Sequence, residues 1–226
     1  MYKNTIYLSK IDHTLSQDTF NHLLQVISKE NREKCLRFRL KKDALRTLYG
    51  ELILRHILHK DFSYKNEEIE ILKGDKGKPY VKGSSIHYNI SHAGDYVACA
   101  FSKQEIGIDV EQIKEIDFKI AKRFFSTCEY EDLLAKKTDE RLDYFFTLWT
   151  LKESYIKWLG SGLSTPLNSF FFAVTDNGIS FTDTNHGATP FFKQYPVDDY
   201  KLSVCCTTDD FPDKISMISL AEMTSF

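Results

Sequence analysis

The amino-acid sequence predicts an α+β fold made of two similar-sized halves, each a small antiparallel sheet packed with helices. Apolar residues recur at helical spacing in two blocks, 16–59 and 117–159. Each block is followed by short runs rich in Ile, Val, Phe and Tyr, at 69–110 and 170–206, which read as strands. Helices and strands come in groups and not in βαβ alternation, which favours α+β over a parallel α/β sheet. At 226 residues the chain has room for two small domains, and with five Pro and no Gly/Ser-rich run no linker separates them. The expected halves are 1–104 and 105–226.

A strand is expected over Thr5–Leu8. Ser16 then suits the N-cap of a helix whose apolar face is Phe20, Leu23, Leu24 and Ile27. Ser28 suits the cap of a short basic helix through Arg32, Lys34, Cys35 and Phe38. The run 43–59 follows with Leu45, Leu48, Tyr49, Leu52, Ile53 and Ile57 on one helical face. Strands are expected at 69–72, 86–90, 96–101 and 106–110, with a Lys- and Gly-dense turn at 73–79. The second half repeats the order, with helical patterns from Asp117 to Leu134 and from Glu140 to Leu159, stopped by Gly160-Ser161-Gly162. Strands are expected at 170–174, 179–182, 191–195 and 202–206.

Composition bounds the function. Charged residues are 27% and the hydrophobic set 42%, outside the range of disordered chains. No window approaches a membrane span and the start lacks the apolar core of a secretory signal. Five scattered cysteines fit reduced thiols, so a cytoplasmic protein is expected. A net charge of -2 excludes a globally basic nucleic-acid binder while leaving room for a local basic pocket.

Four features carry chemistry. In Ile106-Gly107-Ile108-Asp109-Val110-Glu111 the residues alternate, so Asp109 and Glu111 share a strand face about 7 Å apart at the backbone. They can converge on one hard cation, with Gly107 clearing room for a ligand, or form a solvated acidic face. Trp149, Glu153 and Lys157 stand at i, i+4 and i+8 on one helix face, where Glu153 and Lys157 also make an ordinary helix pair of about 0.2–0.5 kcal/mol. Asn89-Ile90-Ser91-His92 ends a strand before Ala93-Gly94, a place suited to an anion, although a lone His is often structural. The Gly77-Lys78-Pro79 turn can present a lysine and backbone amides to a phosphate. His56 and His59 are read as structural. Together these residues describe a magnesium–pyrophosphate site, because the ligand set is all oxygen. Neither a Gly-x-x-x-x-Gly-Lys-Ser/Thr loop nor a Gly-x-Gly-x-x-Gly run is present.

Gly107-Ile108-Asp109-Val110-Glu111, with Trp149-Thr150-Leu151-Lys152-Glu153-Ser154-Tyr155-Ile156-Lys157 further along, resembles the signature of 4′-phosphopantetheinyl transferases of the surfactin-synthetase-activating type. The likeness extends through Arg32–Phe38, Gly77–Pro79, Asn89–His92, Ala121–Ser126, Gly160–Ser164 and Asp210–Asp213, nearly the whole chain. It implies two pseudo-twofold-related halves with the site between them. It implies transfer of 4′-phosphopantetheine from coenzyme A to a serine of a peptidyl or acyl carrier protein, as in nonribosomal peptide synthesis, with release of adenosine 3′,5′-bisphosphate. Asp109, Glu111 and Glu153 would hold Mg²⁺. Glu153 would be the base, directly or through a bound water, and Lys157 would stabilise the leaving phosphate. Lys34, Arg46, Thr47, Lys78, Ser91 and His92 would grip the nucleotide, with Asp109 and Lys157 completing the coenzyme A site. Asn31 stands where the resemblance leads one to expect a lysine. The alternatives are a magnesium-dependent pyrophosphohydrolase of coenzyme A or nucleotides, and a non-catalytic carrier-protein adaptor. No nucleic-acid or membrane partner is expected, and the expected state is a monomer.

Overall fold

The computed structural model describes residues 3–183, 187 and 189–225. Strand β1 (Thr5–Lys10) leads into helix α1 (Gln17–Leu23), where Ser16 accepts the Thr19 N–H as N-cap. Ser28 caps α2 (Lys29–Arg37), and the long α3 (Lys41–Phe62) ends at Ser63 in a left-handed conformation. Next come β2 (Ile71–Lys73), β3 (Pro79–Val81), β4 (His87–Ala93), β5 (Tyr96–Ser102) and β6 (Ile106–Gln112). Helices α4 (Lys119–Phe124), α5 (Thr127–Ala135) and α6 (Arg141–Leu159) follow. A reciprocal Ser126–Glu129 capping box starts α5, and Gly160, at φ 64°, stops α6. The chain closes with β7 (Phe171–Thr175), β8 (Gly178–Thr182), β9 (Phe191–Val197), β10 (Tyr200–Cys206), β11 (Ser216–Met217) and α7 (Leu220–Met223).

The mixed α+β class is as expected, built on small, mainly antiparallel sheets. One sheet has the order β11-β1-β5-β4 and a second β6-β10-β9, with hairpins β2-β3 and β7-β8 beside them. The two larger sheets pack face to face. Alternation sends Ile6, Leu8, Ala98 and Ala100 to meet Ile106, Ile108, Val110, Leu202 and Val204 between them. The outer face of the first sheet, through Val97, Cys99 and Phe101, packs on α3. The outer face of the second, through Cys205, packs on α6, so adjacent Cys205 and Cys206 do face opposite ways.

Several expectations shift in detail. Residues 66–68 form a 3-10 turn, so the strand expected at 69–72 begins at Ile71. Pro79 was expected to close the turn at 73–79 and instead opens β3, which pairs with β2; at the strand's first position its missing N–H costs little. The C-terminal segment was not foreseen. β11 pairs in parallel with β1 through Tyr7↔Ser216 and Leu8↔Met217, and Ile218 and Met223 enter the first core. The end of the chain thus returns to the first half.

β4 and β6 meet at the seam between the halves through side chains. Asn89 Oδ1 accepts the Ile108 N–H at 2.9 Å, and Ser91 Oγ accepts the Val110 N–H at 3.3 Å. This stitch sets the strand carrying Asp109 and Glu111 against the half that carries the basic helix α2.

Candidate active site

Strand alternation buries Ile108 and Val110 between the sheets and turns Asp109 and Glu111 towards α6, as expected. Gly107 lies on that same side, and its role is a correction. A Cβ there would sit 2.1 Å from the Ser154 carbonyl oxygen and 2.4 Å from the Trp158 nitrogen. The missing side chain admits the α6 backbone and not a ligand. That close approach brings the Glu153–Lys157 turn of α6 over the strand. Lys157 Nζ reaches Asp109 Oδ1 at 2.6 Å and Ser91 Oγ at 2.9 Å, and Ser91 Oγ donates to the same Asp109 oxygen at 2.8 Å. Trp149, one turn before Glu153, stacks on Phe145 in the second-half core.

Asp109 is 3% exposed, and its Oδ2 is buried with no hydrogen-bond partner among the described residues. Burial and the Asp109 charge push Glu111 up to about 7, and the same two causes raise Glu153. Three carboxylates thus share a half-buried space where Lys157 is the near cation bonded to Asp109. Among the described residues no group of three or more His, Cys, Asp or Glu side chains is placed to hold a metal ion. The donor set and the orphaned Asp109 oxygen nevertheless fit a hard divalent cation, which would take the unused lone pairs and relieve the mutual repulsion.

A cavity of about 290 Å³ opens in the first half, lined by Lys34, Arg46, Thr47, His92, Asn31 and the hairpin residues Lys73 and Pro79. Lys34, Arg46 and Lys73 set three cations in its lining against the carboxylates of Glu30, which pairs with Lys73, and Glu51, a balance that leaves Lys34 and Arg46 to favour an anion. Arg46 is held in place by two bonds to the Gly94 carbonyl and one to Asp43. His92 opens to the cavity and is held below the ordinary imidazole value by loss of solvent, with Arg46, Lys157 and Lys34 adding repulsion. Below Asn31, the carboxylate of Glu51 is 2% exposed and fully engaged. It accepts from the Ser28 N–H and hydroxyl, Asn31 Nδ2 at 2.6 Å and Arg55 Nε at 2.7 Å. This network fixes the start of α2, and so Lys34, against α3.

The expected site residues therefore fall into two adjoining groups and one outlier. Lys34, Arg46, Thr47 and His92 line the cavity, while Ser91, Asp109, Glu111, Glu153 and Lys157 gather at the seam. Lys78 stands apart, lining a different cavity with His87 and Glu105. Sequence reasoning missed Glu51 and Glu105, the bond that Asn89 accepts from the Ile108 N–H, and also the fully buried Lys152–Glu129 pair at 2.7 Å that anchors α6 beside Glu153. The i, i+4 spacing of Glu51 and Arg55 was a usable signal; the others are contacts made only in the fold.

A carboxylate cluster on a strand, covered by a helix with a Glu and a Lys one turn apart and set beside a cavity with cationic side chains, is an arrangement suited to an enzyme acting on a phosphate-bearing substrate. The comparisons give that enzyme its family. The family model "4′-phosphopantetheinyl transferase, N-terminal" matches residues 13–104, and that of the 4′-phosphopantetheinyl transferase superfamily matches 105–205. The chain is 43% identical over 221 residues to the 4′-phosphopantetheinyl transferase Sfp of Bacillus subtilis (strain 168), covering 96% of this chain and 99% of that one. It is 43% identical to the transferase ffp of Bacillus subtilis (95% and 97% covered) and 36% identical to psf-1 of Bacillus pumilus (97% and 96%). The chain belongs to the 4′-phosphopantetheinyl transferase family, enzymes that move phosphopantetheine onto carrier proteins.

Proposed function

We propose that the seam between the halves is where the pyrophosphate of coenzyme A is broken, with the nucleotide held by residues 1–104 and the catalytic residues carried by 105–226. The observation that supports this most is the buried Asp109 carboxylate, tied to Lys157 and Ser91 on one oxygen and open on the other. Lys34, Arg46, Thr47 and His92 bind the nucleotide phosphates in the cavity next to it. Asp109, Glu111 and Glu153 would hold Mg²⁺, which would neutralise the charge that builds on the pyrophosphate.

The remaining chemistry belongs to the chain. The carrier serine Oγ forms the new bond to the phosphorus nearer the pantetheine, and the bond from that phosphorus to the bridging oxygen breaks. Adenosine 3′,5′-bisphosphate leaves. Glu153, on the α6 turn that faces the Asp109 strand, takes the serine proton, directly or through a bound water. Lys157 is placed to shift from Asp109 and Ser91 to the leaving phosphate as its charge grows. The working unit in this proposal is a monomer. No described helix is long and apolar enough to cross a membrane.

The test is mass spectrometry of apo-carrier proteins from peptide, polyketide and fatty-acid assembly after incubation with coenzyme A and Mg²⁺. A gain of one phosphopantetheine arm, lost in EDTA, is the expected result. Breakdown of coenzyme A without any carrier would point to hydrolysis, and carrier binding that persists in EDTA without a mass gain to an adaptor.

A further inference from the structure

Lys78 was expected to grip a nucleotide phosphate, and its surroundings argue for another task. An ammonium has three N–H donors and no acceptor. Lys78 Nζ commits them to Glu105 Oε2 at 2.6 Å, the Trp158 carbonyl at 3.1 Å and the Ile106 carbonyl at 3.2 Å. The Trp158 carbonyl lies in the last turn of α6, where carbonyls lack helical partners and the helix dipole favours a cation. Ile106 is the first residue of β6, three positions before Asp109. The stem is fitted as well, since a Cβ on Gly160 would come within 3.1 Å of Lys78 Cδ. Glu105 is steadied from its other oxygen by His87 Nδ1 at 3.0 Å.

The same hairpin faces the nucleotide cavity with Lys73 and Pro79, while Lys78 lines the neighbouring cavity behind it. At the cavity mouth Lys73 pairs with Glu30 of α2. The hairpin is therefore pinned to the basic helix at one point and to the catalytic half at another. We propose that Lys78 is a positioning residue that latches the β2–β3 hairpin, the wall of the nucleotide cavity, to β6 and the end of α6, and that its side chain is not a phosphate ligand. The proposal rests on the coenzyme A reading of that cavity.

Two variants separate a latch from a ligand. Lys78→Met removes the cation and all three of its bonds, whereas Glu105→Ala removes one acceptor and so loosens the latch while keeping the lysine charge. For a latch, Lys78→Met weakens coenzyme A by about five-fold, ~1 kcal/mol, and Glu105→Ala weakens it in the same direction by a smaller factor, with turnover on a carrier within about two-fold of wild type. Dephospho-coenzyme A weakens by the same factor, and the double variant is no weaker than Lys78→Met alone. The proposal is overturned if Glu105→Ala binds coenzyme A like wild type or better while Lys78→Met loses coenzyme A preferentially over dephospho-coenzyme A. It is overturned equally if both variants merely melt at lower temperature with unchanged affinity. Affinity is read by calorimetry and transfer by carrier mass, so a wild-type chain that binds coenzyme A without transferring it would sink the activity and leave the latch standing.

Discussion

At Asp109 one carboxylate oxygen takes a lysine and a serine, and the other is buried without a hydrogen-bond partner among the described residues. Removing this charge should be felt in the chemical step more than in folding. Asp109→Asn is expected to lower single-turnover transfer at least tenfold, about 1.4 kcal/mol of barrier, and to shift the Mg²⁺ dependence upward. Wild-type transfer by this variant, or full transfer by the native chain in EDTA, would defeat the metal assignment. His92 supplies a pH signature. Its folded value lies below the usual 6.5, so the free protein protonates it less readily than a free imidazole. A phosphate beside it would raise that value, and the complex would then carry more protons than its parts. Coenzyme A should therefore bind more tightly as pH falls from about 8 to about 6.5, with net proton uptake. Calorimetry in two buffers of different ionisation enthalpy reads this uptake, and His92→Gln should diminish it. An unchanged uptake in that variant would place His92 away from the phosphates.

The geometry of α6 depends on two contacts of different kinds. Gly107 lets the helix backbone touch the strand, and Lys152 roots the helix from the other side. Lys152 is fully buried, bonded to Glu129 and to the carbonyls of Leu167 and Phe170, and Glu129 in turn receives the Phe172 N–H. Burial lowers the lysine below its ordinary value, although Glu129 opposes the shift. Lys152→Met would strand the Glu129 charge in the core and should cost about 3–5 kcal/mol in urea unfolding. Replacing both partners by apolar residues should recover much of that loss; a double variant as unstable as the single would show that the charge is not the cause. Much of the site was legible at this level. The two-residue alternation put Asp109 and Glu111 on one face, and the i, i+4 spacing aligned Glu153 with Lys157. The role of Gly107 was not legible, because a bare position on a strand is equally open to a ligand and to a helix. Nor was that of Lys78, since a lysine in a glycine turn shows its charge and not the carbonyls it will meet.

Across the whole molecule, two sheets share one core and meet along β4 and β6. Asn89 is the test of that seam, because its side chain satisfies a buried backbone N–H of the other half. Asn89→Leu should cost about 1–3 kcal/mol by leaving the Ile108 N–H unpaired. Unfolding followed by Trp fluorescence, which reports the second half, and by far-UV circular dichroism should remain coincident at a lower midpoint. Separate transitions would mean that the seam alone couples the halves; an unchanged midpoint would mean that water replaces the amide.

The sequence by itself determined the α+β class, most element positions and which carboxylates share a face in the candidate site, because periodicity and caps act within a few residues and carboxylates on one strand or helix carry their spacing with them. It also carried the family, through motifs spread along most of the chain. Only the tertiary structure decided which residues meet. The return of 216–223 to the first sheet has no local period to announce it, since a two-residue strand exists only when β1 supplies its partner. The division of the cations into a cavity set and a latch depends on which acceptors lie within about 3 Å once the two halves have closed.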